Sequence, residues 1–183
     1  MDLLELIKAR RTVRKYKKDP IPDENLQKVL EAARWAPSWA NSQCSEYVVV
    51  KDPPMKAKIA EAFPKGNPVI PALAEAPVVL VACGQLKKAG YFKDRVATDK
   101  GDWFMFDVAL SMQNLILAAH SFGLATAIVG GFDAKKVAAA LQVPEGVAVV
   151  AITPLGYPEQ IPAAPSRKEL KEFVHYEQFG NKR

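Results

Sequence analysis

Sulfur and imidazole are scarce in this chain. Cys44 and Cys83 are the only cysteines, and His120 and His175 the only histidines, in 183 residues. The cysteines have neither C-x-x-C nor C-x-x-H spacing, which excludes iron–sulfur ligation, a zinc site and a disulfide framework. Two histidines are too few for a histidine-rich metal centre. No metal ligand set is expected, and electrons handled here would need an organic cofactor. Long apolar runs are missing as well. Val78–Cys83 is the longest strongly apolar segment, far short of the ~20 residues that cross a bilayer. The chain opens Met1-Asp2 and meets Glu5 and Lys8 before any apolar run develops, unlike a secretory signal, so a cytoplasmic location is expected. No credible Ser-His-Asp or Cys-His arrangement appears either, and no side chain is expected to act as a catalytic nucleophile.

What is present describes a folding chain. Apolar residues make up 49% and charged residues 25%, close to average globular usage, and the length suits one domain over residues 1–183. The net charge of +5 is concentrated at one end. Residues 1–18 hold seven bases (Lys8, Arg10, Arg11, Arg14, Lys15, Lys17, Lys18) against Asp2 and Glu5, so the rest of the chain is formally neutral. A localised anion is the natural partner for such a patch.

The hydrophobic pattern predicts alternating helices and strands. Asp2 with Glu5 resembles a capping box opening a helix over 2–9. Asp23 is expected to cap a second helix over 24–35, which Pro37 stops. Tyr47–Val50 and Val78–Cys83 read as buried strands, with a helix over 54–62 and an Ala-rich turn between them. After a polar loop over 85–101, Asp102 opens a long helix to Ser121, ended by Gly123. That helix is apolar nearly all round, so it is buried in a core or against a second subunit. Thr126–Val129 and Val147–Ile152 read as further strands around an Asp133-capped helix, and Ser166 with Glu169 predicts a last helix to Glu177. The result is an α+β or layered α/β domain.

Two segments carry the chemistry. Arg10-Arg11-Thr12-Val13-Arg14 gathers three guanidinium groups and a hydroxyl just past a helix, a donor set suited to phosphate. A solvated basic face or a nucleic-acid contact is the other reading. Ala33 through Gln43 runs a proline-stopped helix into small and amide-bearing residues, groups able to read the edge of a flat heterocycle, or else an ordinary loop of Asx turns.

Together these segments resemble the nitroreductase family of flavoproteins. The matching pieces are Arg10 through Tyr16, Ala33 through Gln43, the long helix with Asp107, Gln113, Asn114, Leu117, Ala118 and Ala119 up to Gly123-Leu124, and Leu155-Gly156-Tyr157-Pro158 followed by Arg167-Lys168. They lie in family order across nearly the whole chain. The resemblance implies a three-layer α/β/α fold with a mixed four- or five-stranded sheet, in a domain-swapped homodimer with FMN at the subunit interface. It implies that Arg10, Arg11, Thr12 and Arg14 hold the phosphate and the pyrimidine side of the flavin, and that Arg167 approaches the phosphate from the C-terminal segment. Pro37, Ser38, Asn41 and Gln43 would border the ring, with Ser38 and Asn41 supplied by the partner. Gly130-Gly131 would let backbone approach the flavin, or else form a plain turn.

The implied activity is FMN-dependent electron transfer from NADH or NADPH to a small nitroaromatic, quinone or similar acceptor by a ping-pong mechanism. The flavin carries the chemistry. The chain departs from the family where Cys44-Ser45 replaces the usual proline and aromatic residue after Gln43. Cys44 is expected to be a buried inert thiol and His120 a hydrogen-bonded core residue. Trp39, Trp103 and Phe104 are expected in core packing or beside the flavin. The alternatives are a related FMN dehalogenase or dehydrogenase, a flavin carrier, and a nucleic-acid-binding module built on the basic patch.

Overall fold

A computed structural model describes residues 2–183. Four strands form one sheet in the order β1 (Ser45–Val50), β2 (Val78–Gln85), β6 (Val147–Gly156), β5 (Ala125–Thr126). All ladders in it are antiparallel, with Val48 opposite Val81 and Val81 opposite Ile152. The one parallel contribution among the described residues is the isolated bridge from Thr12 to Thr126. A separate hairpin, β3 (Tyr91–Phe92) and β4 (Arg95–Val96), rises from the predicted polar loop.

β2 explains the layers. Its side chains alternate across the sheet, and both faces are covered, as its continuous apolar run predicts. Val78 and Leu80 pack with Leu26, Val29, Leu115 and Ala119 from α2 (Asp23–Arg34) and α5 (Phe104–Ser121). Val79 and Val81 pack with Ile59, Leu73 and Val137 from α3 (Pro53–Ala60), α4 (Ile70–Glu75) and α6 (Ala134–Leu141). The fold is therefore α+β in three layers, helices on either side of the sheet. α1 (Leu3–Ala9) and α7 (Leu170–Phe173) bury no residue of their own.

Several ends fall differently from the sequence reading. Asp2 makes no capping bond, and Glu5 pairs with Lys8 at 3.2 Å instead. Pro22 takes the N-cap position of α2, leaving Asp23 to bind Lys51 at 2.8 Å. The Ala-rich turn closes into α4. The strand expected over 126–129 pairs at Ala125 and Thr126 and then only through Val129, which exchanges both backbone bonds with Ile152. Because strand polar groups alternate sides, Pro154 turns its nitrogen the same way as Ile152, into the gap between those contacts. It has no N–H to offer there. β6 thus continues through Pro154 to Gly156, beyond its expected end, at the expense of β5. The last helix shrinks to α7, whose Glu172 carboxylate accepts from Glu169 N–H at 2.7 Å, three residues later than the expected Ser166–Glu169 pair.

Candidate functional site

The basic cluster is placed by two buried residues of its own segment. Val13 and Tyr16 are buried, Val13 N–H donates to Thr126 O at 3.0 Å, and Tyr16 bridges to Pro158. With those two held inward beside β5, Arg10, Arg11, Thr12 and Arg14 line a cavity of about 240 Å³. Its opposite wall is Pro162, Ala163, Pro165 and Arg167. Two segments some 150 positions apart in sequence thus meet, as the family pattern implies.

Electrostatically this cavity is unfinished. The Arg10 guanidinium is pushed below its usual range, first by burial and then by the like charges of Arg167 and Arg11. Among the described residues none of these arginines is in an ion pair. Arg11 is partly spent on the end of α1, donating to Lys8 O at 2.6 Å and Arg10 O at 2.9 Å, and Arg167 donates to Ser166 O at 3.1 Å. Arginine stays charged at any ordinary pH. An outside anion would relieve this mutual repulsion, and the several donors suit a phosphate oxygen set.

The second predicted segment lies elsewhere on the chain. Pro37, Ser38 and Gln43 line a cavity of about 220 Å³ with Tyr47, Asp107 and Ser111 that shares no residue with the arginine cavity. A cavity of about 310 Å³ on Pro37, Ser38, Trp39, Trp103, Phe106, Asp107 and Leu110 adjoins the same loop. Asn41 sits at the end of a 3₁₀ turn over Trp39–Asn41 and lines neither cavity. The loop has Ala40 (φ 45°), Asn41 (φ 56°) and Gln43 (φ 48°) in the left-handed region, which costs roughly 1–2 kcal/mol for an ordinary residue. Gly130 and Gly131 form a third locus, exposed between Val129 and α6, where an added Cβ would meet nothing within 4 Å. Neither has the positive φ that would demand glycine, so no contact within the chain requires that residue there.

Asp107 was legible only as part of the family pattern, yet it organises the loop. It is 1% exposed, in the first turn of α5. It accepts from Trp39 N–H at 3.0 Å, Ser42 Oγ at 2.8 Å and the Cys44 thiol at 3.5 Å. A carboxylate on the buried stripe of an apolar helix is itself a signal, because buried charges are rarely left without partners. Pro162, Ala163 and Pro165 carried no sequence signal.

Cys44 is fully buried, and burial above all pushes its thiol up to about 11. It is an inert thiol at neutral pH. His120 differs from expectation. Its Nε2 is buried without a hydrogen-bond partner, beside Arg11, Val13 and Pro158 in a cavity of about 90 Å³. Burial, then Arg10 and Arg11, push its pKa below the ordinary value. Its unfolded form therefore takes up a proton at higher pH than the folded form, and stability falls as pH drops through the ordinary histidine range. His120→Gln is expected to flatten that acid-side fall in Tm between about pH 7 and pH 5, measured by thermal melts across pH. An unchanged slope would show that other groups set it.

No group of three metal-binding side chains lies together among the described residues, and no helix is long and apolar enough to cross a membrane. The chain thus combines an α/β/α domain, an arginine-lined cavity without a counter-anion and a separate strained polar loop. The model of the nitroreductase family matches residues 7–157, and the chain belongs to that family. It is 33% identical over 184 residues to a protein of Methanothermobacter thermautotrophicus provisionally named NADH dehydrogenase/NAD(P)H nitroreductase, covering 94% of this chain and 88% of that one. A nitroreductase family protein of Clostridium difficile 630 superposes with a TM-score of 0.83 at 26% identity, covering 97% of this chain and 99% of that one. Iodotyrosine deiodinase, solved with FMN and 3-iodo-L-tyrosine, superposes with a TM-score of 0.81 at 26% identity over 97% of this chain and all of that one.

Proposed function

We propose that residues 1–183 form a single FMN-binding domain that works as a homodimer, taking electrons from NADH or NADPH and delivering them to a small acceptor such as a nitroaromatic or quinone. The observation that carries this reading is the convergence of Arg10, Arg11, Thr12 and Arg14 with Arg167 on one cavity without a counter-anion, in a chain of this family. Those residues fit a phosphate. FMN, when bound, supplies the redox chemistry; the protein supplies position and electrostatics. Arg10 and Arg14 hold the phosphate and oppose negative charge arising on the pyrimidine side. Thr12 adds a hydroxyl from a segment fixed by its bridge to β5. Gly130 and Gly131 leave room for backbone to approach a flat ring.

The dimer follows from what one chain leaves uncovered. Pro37, Ser38 and Gln43 line a cavity separate from that of the arginines, which supports Ser38, with Asn41 on the same loop, serving the flavin held by the other subunit's arginines. Leu3, Leu4 and Ile7 of α1, Met105 and Phe106 of α5, and Phe179 of the tail at 93% exposure are apolar surface awaiting a partner. Donor and acceptor use one open face in turn, giving ping-pong kinetics. Two free, buried cysteines accord with work in the reducing cytoplasm. The likeness to iodotyrosine deiodinase favours one second reading, reductive dehalogenation of a halogenated phenol.

Freshly purified protein is expected to show flavin absorption bands that bleach on anaerobic addition of NADH or NADPH and return on addition of an oxidised acceptor. Bleached protein that reoxidises with a nitroaromatic but not an iodophenol supports the first reading, and the reverse supports the second. A colourless protein that cannot be reconstituted with FMN would overturn both.

A further inference from the structure

We propose that Asp107 is a positioning residue for the flavin-facing loop: from the buried first turn of α5, its carboxylate holds residues 38–43 in a conformation that neither packing nor backbone preference supplies. The inference rests on the flavin reading of Ser38, Asn41 and Gln43. It assigns Asp107 no part in the chemistry.

Before Cys44 the loop has little other support. Two cavities adjoin it, each lined by Pro37, Ser38 and Asp107. Its own bonds tie it to itself. Asn41 N–H donates to Ser38 O at 3.1 Å, Ser42 N–H to Trp39 O at 2.8 Å, and Gln43 N–H to Ser38 Oγ at 3.0 Å. None of these fixes the loop to the domain, which otherwise holds it at its end, where the buried Cys44 accepts from Gln85 N–H at 2.9 Å. Against them stands the left-handed backbone at Ala40, Asn41 and Gln43, where only asparagine is at home.

Asp107 supplies the missing attachment. Its two oxygens accept from loop positions 39, 42 and 44, straddling the strained residues. The need is mutual. Asp107 is 1% exposed and in no ion pair among the described residues, so its charge is balanced only by those donors and by the amide end of α5. A carboxylate that must keep its donors, and a loop that must keep its anchor, lock one geometry. That geometry sets where Ser38 Oγ, Asn41 and the Gln43 amide face.

The test uses full-length protein, stripped of flavin and titrated with FMN by fluorescence, with visible-region circular dichroism of the bound flavin and Tm as further readouts. Asp107→Asn keeps the shape but turns an amide toward Ser42 and Cys44. It is expected to weaken FMN binding by about tenfold or more and to alter the flavin dichroism. Ala40→Gly, added to Asp107→Asn, removes the left-handed cost at one position and is expected to recover a large part of the affinity. Ser42→Ala, which deletes one donor and spares the carboxylate, is expected to weaken binding a few-fold, and it keeps the question decidable should Asp107→Asn not fold. A lowered Tm with unchanged FMN affinity and dichroism in Asp107→Asn, or in Ser42→Ala where the former does not fold, would overturn the proposal. Failure of Ala40→Gly to restore binding would overturn it too. Wild-type protein that takes up no FMN would instead bring down the flavin reading, and this proposal with it.

Discussion

Protein in which Arg10 and Arg14 are both replaced by alanine is expected to come through purification without flavin, and each single replacement to weaken FMN binding by roughly 10- to 100-fold. A hydrogen bond to a charged group is worth about 1.5–3 kcal/mol, and 1.4 kcal/mol is tenfold in affinity. Arg11→Ala is expected to matter less, because its guanidinium already caps α1 through Lys8 O and Arg10 O. The phosphate is the discriminating feature. Titration with riboflavin, which lacks the phosphate but keeps the ring, should show a much smaller difference between wild type and variants. Equal losses for FMN and riboflavin would mean that the cluster binds some other part of the flavin.

The same cluster makes an opposite prediction for stability. Without flavin, Arg10 is repelled by Arg167 and Arg11 with no carboxylate to offset them. Removing it is expected to raise the Tm of the flavin-free protein while lowering that of the loaded protein, where mass action favours whichever variant binds FMN best. Melts with and without FMN separate the two effects. A tolerated repulsion of this kind is characteristic of binding sites, where function and stability pull apart.

Much of this was legible because it depends on local chemistry. Val78–Cys83 is apolar without a break, and a strand covered on both faces has no other composition available to it. Arg10 through Arg14 stood out as three guanidinium groups close together without acids, a pattern that also suits a solvated face or nucleic acid, and it was the family pattern that favoured phosphate. Arg167 could be placed beside them only through the family pattern, since no local rule brings the tail back to the N-terminal segment. What escaped was set by competition between distant groups. Asp23 looked like a cap, yet Lys51 from the end of β1 takes its carboxylate. The strand expected over 126–129 is interrupted where Pro154, on its neighbour, has no N–H to offer. His120 stands among cations from another segment, and nothing in its own helix announced that its Nε2 would be left alone. The loop of Ala40, Asn41 and Gln43 looked like ordinary turn composition, and its strain became visible only with the buried carboxylate that answers it.

Removal of residues 160–183 is expected to abolish FMN retention and dissociate the proposed dimer while leaving the sheet and its two helical layers folded. No residue of that segment is buried in the chain, so the core loses nothing. The arginine cavity, however, loses Arg167, Pro162, Ala163 and Pro165, its whole far wall. The apolar inventory of the tail points outward: Ile161, Leu170, Phe173, Tyr176 and Phe179 are all exposed. Each is worth about 1.5–3 kcal/mol when fully buried, so one tail laid on a partner makes on the order of 10 kcal/mol available before the cost of ordering it. Two tails crossing a dimer double that figure, enough to decide the association state. Sedimentation of the shortened protein should give a monomer with native far-UV circular dichroism. A shortened protein that stays dimeric and yellow would show that the tail serves neither the interface nor the phosphate, and would return the whole burden of flavin binding to Arg10, Thr12 and Arg14.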